Sequence, residues 1–470
     1  MITLDQFTHQ QQALGRVYAE GLRLARRSGR RQLVSVVRSV PLHDPLALVS
    51  AARRLGVDAA YWSVPKRHFT VFGVGVAAVF EGTGADRFKH AARWWRELTA
   101  DALLDAACDV PGTGPLLLGG FAFDPLTPAD GIWQGFPDAR LVLPELIVTV
   151  SEERAWVTHN LIAAPTAADA GQAAEASFRL AEALWQLADR EPAVTTRLNV
   201  NAGDRERWQR LVRFTADRLS GGPLQKVVLA RAVTAEAGGP LSPVHALSFL
   251  RSTYPDCFLF SFTRGERTFL GATPEQLVRL HGREVETMCL AASVARGRDP
   301  EEDRRLAEGL LRSEKERREH RLVLNMIRGE LGPLSDELQH PEEPTILRLG
   351  NVQHLHTPVR ARLREGITVF DVLERLHPTP AVGGTPRDLA MAFIRQHEGF
   401  HRGWYASPVG WVDWREEGEF AVALRSALVH GRRATLFAGC GIMPDSDPAA
   451  EYEESCLKLR PMLQALGGCV

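Results

Sequence analysis

The sequence predicts a fold that mixes β-strands with α-helices, and three stretches carry that prediction. Residues 32–40, QLVSVVRSV, are rich in valine and indicate a strand. Residues 299–331 carry an apolar stripe at helical spacing, which predicts one long amphipathic helix. Residues 403–411, 419–429 and 434–438 are apolar runs separated by turn residues, which predicts an antiparallel meander.

Composition indicates the class of protein but not its activity. The chain has 470 residues and a formal net charge of −1, which argues against a nucleic-acid or membrane-surface partner. It contains no apolar run of the roughly 18 residues that a membrane-spanning helix needs. The N-terminus lacks a signal-peptide core, and the six cysteines show neither CxxC nor CxxxH spacing. We therefore expect a soluble, cytoplasmic protein with free thiols.

The first 200 residues read as mixed strands and helices that carry no recognisable chemistry. A boundary is predicted near residues 191–196. Residues 69–79 read as one strand that contains Gly73-Val74-Gly75. This pair of glycines lacks the third glycine and the following helix of a nucleotide-binding loop. Close backbone contact is the better explanation for glycine in such a strand.

Two candidate proton carriers stand at the ends of predicted strands. Lys226 begins the apolar run KVVLARAVTA. A lysine there is either a solvated residue that discourages aggregation at the strand end or, if partly buried, a general base. Glu275 follows Pro274, which suits the first turn of a helix. Glu275 is then either a carboxylate favoured by a helix N-terminus or a catalytic acid at the end of the predicted hairpin, residues 257–270.

Candidate metal ligands are scattered along the second half of the chain. Glu319 lies where the long helical stretch changes from charged to apolar, and most glutamates in such a stretch face solvent. His354 and His356 lie on the same side of the predicted strand 348–363, a spacing that suits zinc. Because no cysteine or carboxylate accompanies them locally, one buried and one solvated histidine is the simpler interpretation.

The stretch that ends the predicted meander combines flexible backbone with charge. Gly439-Cys440-Gly441 allows close approach of a ligand to the backbone. A helix should begin at Ser446 or Asp447. On it, Glu454 and Lys458 are spaced i, i+4 and share a face, which by itself is typical of a surface ion pair.

Nine short motifs that include these residues occur in a fixed order. They are KVVLAR at 226–231, ATPEQL at 272–277, EH at 319–320, HL at 354–355, HPTPAVGG at 377–384, RGWY at 402–405, ALRSA at 423–427, AGCGI at 438–442 and ExxxK at 454–458. Together they resemble the chorismate-utilising enzymes. These are the isochorismate synthases, the salicylate synthases, and the large subunits of the anthranilate and aminodeoxychorismate synthases. Each motif is weak alone, but the ordered set is specific.

Two features of the resemblance favour one branch. The HPTPAVGG loop resembles that of isochorismate synthases, whereas the amino-transferring enzymes share an AGTLSGAP-type loop that is absent here. Lys226 occupies the position where water-using members of the family place the base that activates water. In addition, residues 61–75, YWSVPKRHFTVFGVG, look like the isochorismate synthases of menaquinone biosynthesis. Salicylate synthase and a siderophore-pathway isochorismate synthase are the alternatives. A ligand-binding homologue without activity is a further one.

The resemblance implies a fold and a set of roles. The fold would be a single large α+β domain with two packed, mostly antiparallel sheets and helices outside. Residues 1–200 would be its N-terminal region and residues 201–470 its chorismate-binding catalytic region. Lys226 would be the catalytic base and Glu275 the acid, and Glu319 and Glu454 would bind Mg²⁺. The substrate chorismate would contact Ser293, His354, Ala381, Tyr405, Arg425, Gly439, Gly441 and Lys458.

The resemblance also carries one departure and one expected absence. The family has a glycine in an LAGS/T turn where this chain has Ala292, which predicts a tighter or shifted backbone contact to the substrate there. No glutaminase subunit is expected.

Overall fold

The computed structural model describes residues 4–105, 110–127, 131–167, 170–188, 197–201 and 203–468. The predicted boundary at 191–196 lies outside the described residues, as do Cys108 and Cys469. The strands are β1 Gln32–Val40, β2 Ala59–Val64, β3 Phe69–Val74, β4 Ala78–Gly82, β5 Leu103–Asp105, β6 Leu116–Phe121, β7 Ala139–Leu143, β8 Leu146–Ser151, β9 Arg154–Ala163, β10 Leu198–Asn201, β11 Lys226–Ala237, β12 Phe258–Arg264, β13 Arg267–Thr273, β14 Gln276–His281, β15 Glu284–Ala295, β16 Ser335–Gln339, β17 Thr345–Arg348, β18 Val352–Leu363, β19 Gly384–Thr385, β20 Pro408–Asp413, β21 Gly418–Val422, β22 Ser426–His430 and β23 Arg433–Ile442. The α-helices are α1 Leu4–Ser28, α2 Pro45–Leu55, α3 Arg87–Thr99, α4 Ala170–Gln186, α5 Arg205–Leu219, α6 Pro243–Thr253, α7 Pro300–Arg312, α8 Glu314–Leu331, α9 Val369–Leu376, α10 Arg387–His397 and α11 Pro448–Ala465.

The strands form two large sheets, which confirms the expected α+β architecture. The first has 13 strands in the order β10-β11-β23-β22-β13-β12-β2-β3-β8-β9-β1-β5, with β19 paired to β11. The second has 10 strands in the order β16-β18-β15-β14-β21-β20-β6-β7-β4, with β17 paired to β18. Among the described strands only β1 and β5 pair in parallel. Both sheets take strands from both halves of the chain.

Alternating side chains of the larger sheet fill two apolar layers. In β12, Phe258, Phe260 and Phe262 belong to the main core shared with the smaller sheet. The intervening Leu259 belongs to a second core with residues of α2, α4, α6 and α11. A strand whose successive side chains point to opposite faces can supply both layers. The smaller sheet therefore covers one face of the larger sheet, and helices cover the other.

The chain passes from one sheet to the other at two neighbouring points. Residues 274–275 connect β13 in the larger sheet to β14 in the smaller one, and residues 423–425 connect β21 back to β22. The two connections are bonded together, because Val422 N donates to Glu275 O at 3.0 Å and Ala272 N donates to Arg425 O at 3.2 Å. Such crossings place polar residues between two apolar sheets.

These crossings correct two sequence predictions. The predicted single meander is wrong, because β20 and β21 belong to the smaller sheet whereas β22 and β23 belong to the larger one. The helix expected at Pro274 is also wrong, because strand β14 begins directly after Glu275. Apolar runs predict strands but carry no information about which sheet receives them.

Two further predicted elements are divided in the structure. The single helix at 299–331 is wrong: Ser313 ends α7 and caps α8, accepting from Glu316 N. The single strand at 69–79 is wrong as well, because Gly75, at φ 72°, separates β3 from β4. At Gly73 an added Cβ would lie 2.4 Å from Cγ of Pro144, which confirms that this glycine allows close contact. The hairpin of β12 and β13 and the start of α11 after Asp447 are confirmed.

The described cysteines and helices agree with the expectations from composition. Cys257, Cys289, Cys440 and Cys456 are free thiols. No helix in the described ranges combines the length and apolar character needed to span a bilayer.

Candidate active site

A cavity of about 230 Å³ lies where the two sheet crossings meet α8 and α11. Ten of the twelve predicted site residues line it, namely Glu275, Ser293, Glu319, His354, Ala381, Arg425, Gly439, Gly441, Glu454 and Lys458. The other two are buried directly behind glycines of the lining, Lys226 behind Gly441 and Tyr405 behind Gly439. Residues far apart in sequence thus converge on one cleft.

Lys226 is the first residue of β11 and one of the most deeply buried charged side chains, with 1% exposure. This burial excludes the solvated alternative. Its Nζ donates to Oε1 of Glu319 on α8 at 2.7 Å. A Cβ at Gly441 would lie 2.8 Å from Lys226 Cε and 2.9 Å from Glu319 Oε1. The glycine of β23 therefore leaves room for this ion pair.

Glu275 lies in the first sheet crossing and is 5% exposed. Burial raises the pKa of its carboxyl to about 7, although the charges of Lys226, Arg425 and Lys458 lower it. Burial disfavours the carboxylate because water no longer solvates the charge. A carboxyl with this pKa holds a proton near neutral pH, as a general acid requires.

Acidic residues of two helices face the same cavity. Glu319 extends from α8 and Glu454 from α11, where Glu454 pairs with Lys458 at 2.5 Å. Sequence reasoning missed two further lining acids, Glu316 and Glu451. Each lies three residues before a predicted ligand, so the repeated E-x-x-E spacing was the signal that could have found them. Burial, followed by the charge of Glu454, raises the pKa of Glu451 to about 7.

This donor set suits a hard cation. The carboxylate oxygens of Glu451 and Glu454 lie within 4.8 Å of each other and of Cys440 Sγ, a soft atom that Mg²⁺ does not prefer. Glu319 lines the cavity from α8. Mg²⁺ prefers carboxylate and water oxygens. Buried and half-buried carboxylates that repel one another are the arrangement that a divalent cation relieves. The residues present therefore fit Mg²⁺.

Arg425 and Lys458 bring positive charge to the cavity lining. Arg425 lies in the second sheet crossing, 8% exposed, with a left-handed φ of 47°. Lys458 donates from Nζ to Gly439 O at 3.0 Å. Burial alone would lower the pKa of Lys458, but Glu454 and Cys440 raise it overall. Two cations near the glycine backbone can hold a carboxylate.

Tyr405 lies behind Gly439, and Ala381 lines the cavity. The Oη atom of Tyr405 lies 3.1 Å from the position of a Cβ at Gly439, and its ring stacks on Phe437. Burial raises the pKa of Tyr405 to about 12, so the phenol keeps its proton and can donate a hydrogen bond. Ala381 belongs to the Pro/Gly-rich loop before β19 and is half-buried.

Ser293 and His354 are direct partners across the β15–β18 pair. The Oγ of Ser293 and Nδ1 of His354 are 2.8 Å apart. Burial, with the charges of Arg425 and Lys458, lowers the pKa of His354 to about 3, so its ring is neutral. His356 is half-buried and does not line the cavity, so the two histidines do not share a site.

Ala292 forms a bulge beside Ser293, and its backbone conformation explains why the family has a glycine at this position. Its φ is 65°, in the left-handed region that glycine adopts most easily. The bulge lies between Ala291 and Ser293 in the register with β18. The Ala292 side chain packs with Leu310 and Leu355. Ala292 also lines the cavity, so the methyl group is accommodated in the cavity wall against these leucines, and the bulge is kept.

The fold and this cavity define a class of enzyme. The model of the family described as chorismate binding enzyme matches residues 19–467, and the chain belongs to this family.

Several relatives share nearly the whole chain. The salicylate biosynthesis isochorismate synthase of Pseudomonas aeruginosa is 42% identical over 90% of this chain and 88% of its own. The isochorismate synthase MenF of Bacillus subtilis is 34% identical over 100% and 99%. Among solved structures, MenF, the menaquinone-specific isochorismate synthase from Escherichia coli, superposes with a TM-score of 0.76. It is 28% identical and covers 95% of this chain and 99% of that one.

Proposed function

We propose that this protein is an isochorismate synthase, which converts chorismate to isochorismate by adding water at C2 and expelling the C4 hydroxyl. The observation that carries the proposal is a pair of buried proton carriers, Lys226 and Glu275, at one acidic cavity. The relatives described above, which are named isochorismate synthases and span the chain, support it.

Lys226 is the base that activates water in this proposal. Its amine must be neutral to accept a proton, and its Nζ lies 2.7 Å from Oε1 of Glu319 in a site with 1% exposure. Gly441 provides an opening between Lys226 and the cavity. Lys226 would then take the proton from a water molecule that attacks C2 of the ring.

Glu275 is the acid that protonates the leaving C4 oxygen. Hydroxide is a poor leaving group, so the reaction needs a proton donor at this oxygen. The raised pKa of Glu275, about 7, keeps the proton available. After the step Glu275 is a carboxylate and Lys226 an ammonium, so each must exchange its proton before the next turnover.

Glu319 and Glu454 would hold Mg²⁺ in this proposal, with Glu316 and Glu451 beside them. Mg²⁺ would offset the negative charge of the substrate ring carboxylate in the otherwise acidic cavity. Arg425, Tyr405 and the backbone at 439–441 would bind the enolpyruvyl carboxylate by charge-assisted hydrogen bonds. The neutral ring of His354, held by Ser293, would contact the substrate ring or its oxygens.

We further propose that the product enters menaquinone biosynthesis. The Bacillus subtilis MenF match over the whole chain and the structural likeness to MenF from Escherichia coli support this assignment. The second candidate is an isochorismate synthase that supplies salicylate formation, and the 42% identity to the Pseudomonas aeruginosa enzyme favours it. Deletion of the gene from its native host separates the two candidates: loss of menaquinone supports the first, and loss of salicylate supports the second.

Chromatography of the products tests the reaction. Purified protein, chorismate and Mg²⁺ should yield isochorismate, and EDTA should abolish it. Salicylate with pyruvate, or an aminated product that requires ammonia, would assign the protein to another branch. Lys226→Ala and Glu275→Ala should both fold but lose turnover. Lys66→Ala, on the exposed surface, should fold and keep wild-type turnover. No consumption of chorismate would refute the proposal.

A further inference from the structure

Two helices begin at the edge of the active-site cavity. α8 begins at Glu314 and contributes Lys315, Glu316 and Glu319 to the lining. α11 begins at Pro448 and contributes Glu451 and Glu454, among others. The first turn of a helix carries partial positive charge from its amide groups. Glu314, Glu316 and Glu451 in these first turns already offset that charge, so a further anion at this edge needs a cation.

The cations around the cavity differ in how they are engaged. Lys226 pairs with Glu319 and Lys458 pairs with Glu454. Arg425 is 8% exposed and lies deep in the second sheet crossing. Lys315 is half-buried, and within the described ranges no carboxylate lies at ion-pair distance from its ammonium. Lys315 is thus available to an incoming anion.

Neighbouring basic residues on α8 do not share this position. Arg317 pairs with Glu343 at 2.6 Å, away from the cavity. Arg318 and Arg321 do not line the cavity. Lys315 lies one helical turn before Glu319, on the same face. Its charge lowers the pKa of Glu316 on its own helix and of Glu451 on α11, so it acts on acids of both helices.

The cavity poses an electrostatic problem for a dianionic substrate. Five carboxyl groups line it, on Glu275, Glu316, Glu319, Glu451 and Glu454. Like charges in a partly buried site repel by several kcal/mol unless a cation lies between them. A cation at the edge of the cavity would attract the dianion before it reaches these groups.

We propose that Lys315 is a substrate-binding residue that binds a carboxylate of the incoming dianion at the mouth of the cavity. The inference rests on the proposed function and extends it. It assigns a residue for which neither the sequence nor the family resemblance suggested a role. The class of ligand is a small molecule with two carboxylates.

Lys315→Gln tests this inference against Arg318→Gln, which removes the same charge from the same helix outside the cavity. We expect kcat/KM for chorismate to fall about tenfold in Lys315→Gln at low salt, the effect of one nearby charge. The loss should lie in KM, and it should shrink as ionic strength rises to about 0.3 M. Arg318→Gln should stay within about twofold of wild type, as charges outside a binding site usually do. Equal behaviour of the two variants would overturn the inference.

A binding measurement separates this inference from the proposed function. In a Lys226→Gln background, where turnover is blocked, calorimetry gives the dissociation constant of chorismate with and without Lys315→Gln. A weaker affinity on loss of Lys315 supports the inference even if wild type yields a product other than isochorismate. An unchanged affinity overturns it even if wild type yields isochorismate.

Discussion

Replacing Glu275 by glutamine should raise the stability of the protein while it removes activity. The carboxyl is 5% exposed and its pKa is raised from 4.5 to about 7. The folded protein therefore holds a proton that the unfolded chain loses between these values. Stability conferred by this group is fully present below about pH 4.5 and is lost as pH rises through about 7.

The structure sets the size of the effect. A difference of about 2.5 pKa units corresponds to about 3 kcal/mol at pH 8. The substituted amide would carry no charge at any pH, so Glu275→Gln should gain up to that amount at pH 8 and little at pH 4.5. Removal of a general acid typically costs about 10²–10⁴ in rate, and we expect kcat to fall within that range.

Urea denaturation of wild type and Glu275→Gln at pH 4.5, 6 and 8 measures the gain in stability. Product formation by the two proteins measures the loss of kcat. For wild type, kcat/KM should decline above about pH 7 as Glu275 loses its proton. The reasoning is refuted if Glu275→Gln keeps more than about a tenth of wild-type turnover. A stability difference that does not change with pH would refute it as well.

Three further predictions concern the backbone and the acids of the site. Gly441→Ala should fold but lose at least about 100-fold in kcat, because its methyl would displace the Lys226–Glu319 pair. The control variant Gly309→Ala, whose added methyl meets no atom within 4 Å, should keep full activity. Ala292→Gly should change the unfolding free energy by less than about 0.5 kcal/mol, because relief of left-handed strain offsets the lost packing of the methyl. Ala292→Val should destabilise by about 2 kcal/mol, and thermal melts of both variants check this pair. Glu454→Gln should raise the Mg²⁺ concentration for half-maximal activity at least about tenfold, whereas Glu453→Gln, on the exposed side of α11, should leave it unchanged; equal Mg²⁺ titrations would contradict the proposed ligand role.

Sequence patterns located the elements better than their arrangement. The strand predicted at 226–235 has an apolar run as its signal, and the helix predicted to begin at Ser446 or Asp447 has a capping residue. Both formed, the strand extending to Ala237 and the helix capped by Asp447. The helix expected at Pro274 did not form, because the proline lies in a connection between two sheets. Local propensity does not distinguish a helix start from such a crossing.

Local sequence was sufficient to predict strands such as β11 and helices such as α11. Through the ordered motifs it was also sufficient to predict the family and ten of the residues that line the cavity. These features depend on neighbours within a few positions or on short exact strings. Tertiary structure decided which sheet each strand joined, and it buried Lys226 against Glu319, 93 residues away. It also raised the pKa of Glu275, because desolvation comes from atoms that many distant segments bring together. The acid–base character of the site is therefore a property of the folded cavity, although each residue that forms it is visible in the sequence.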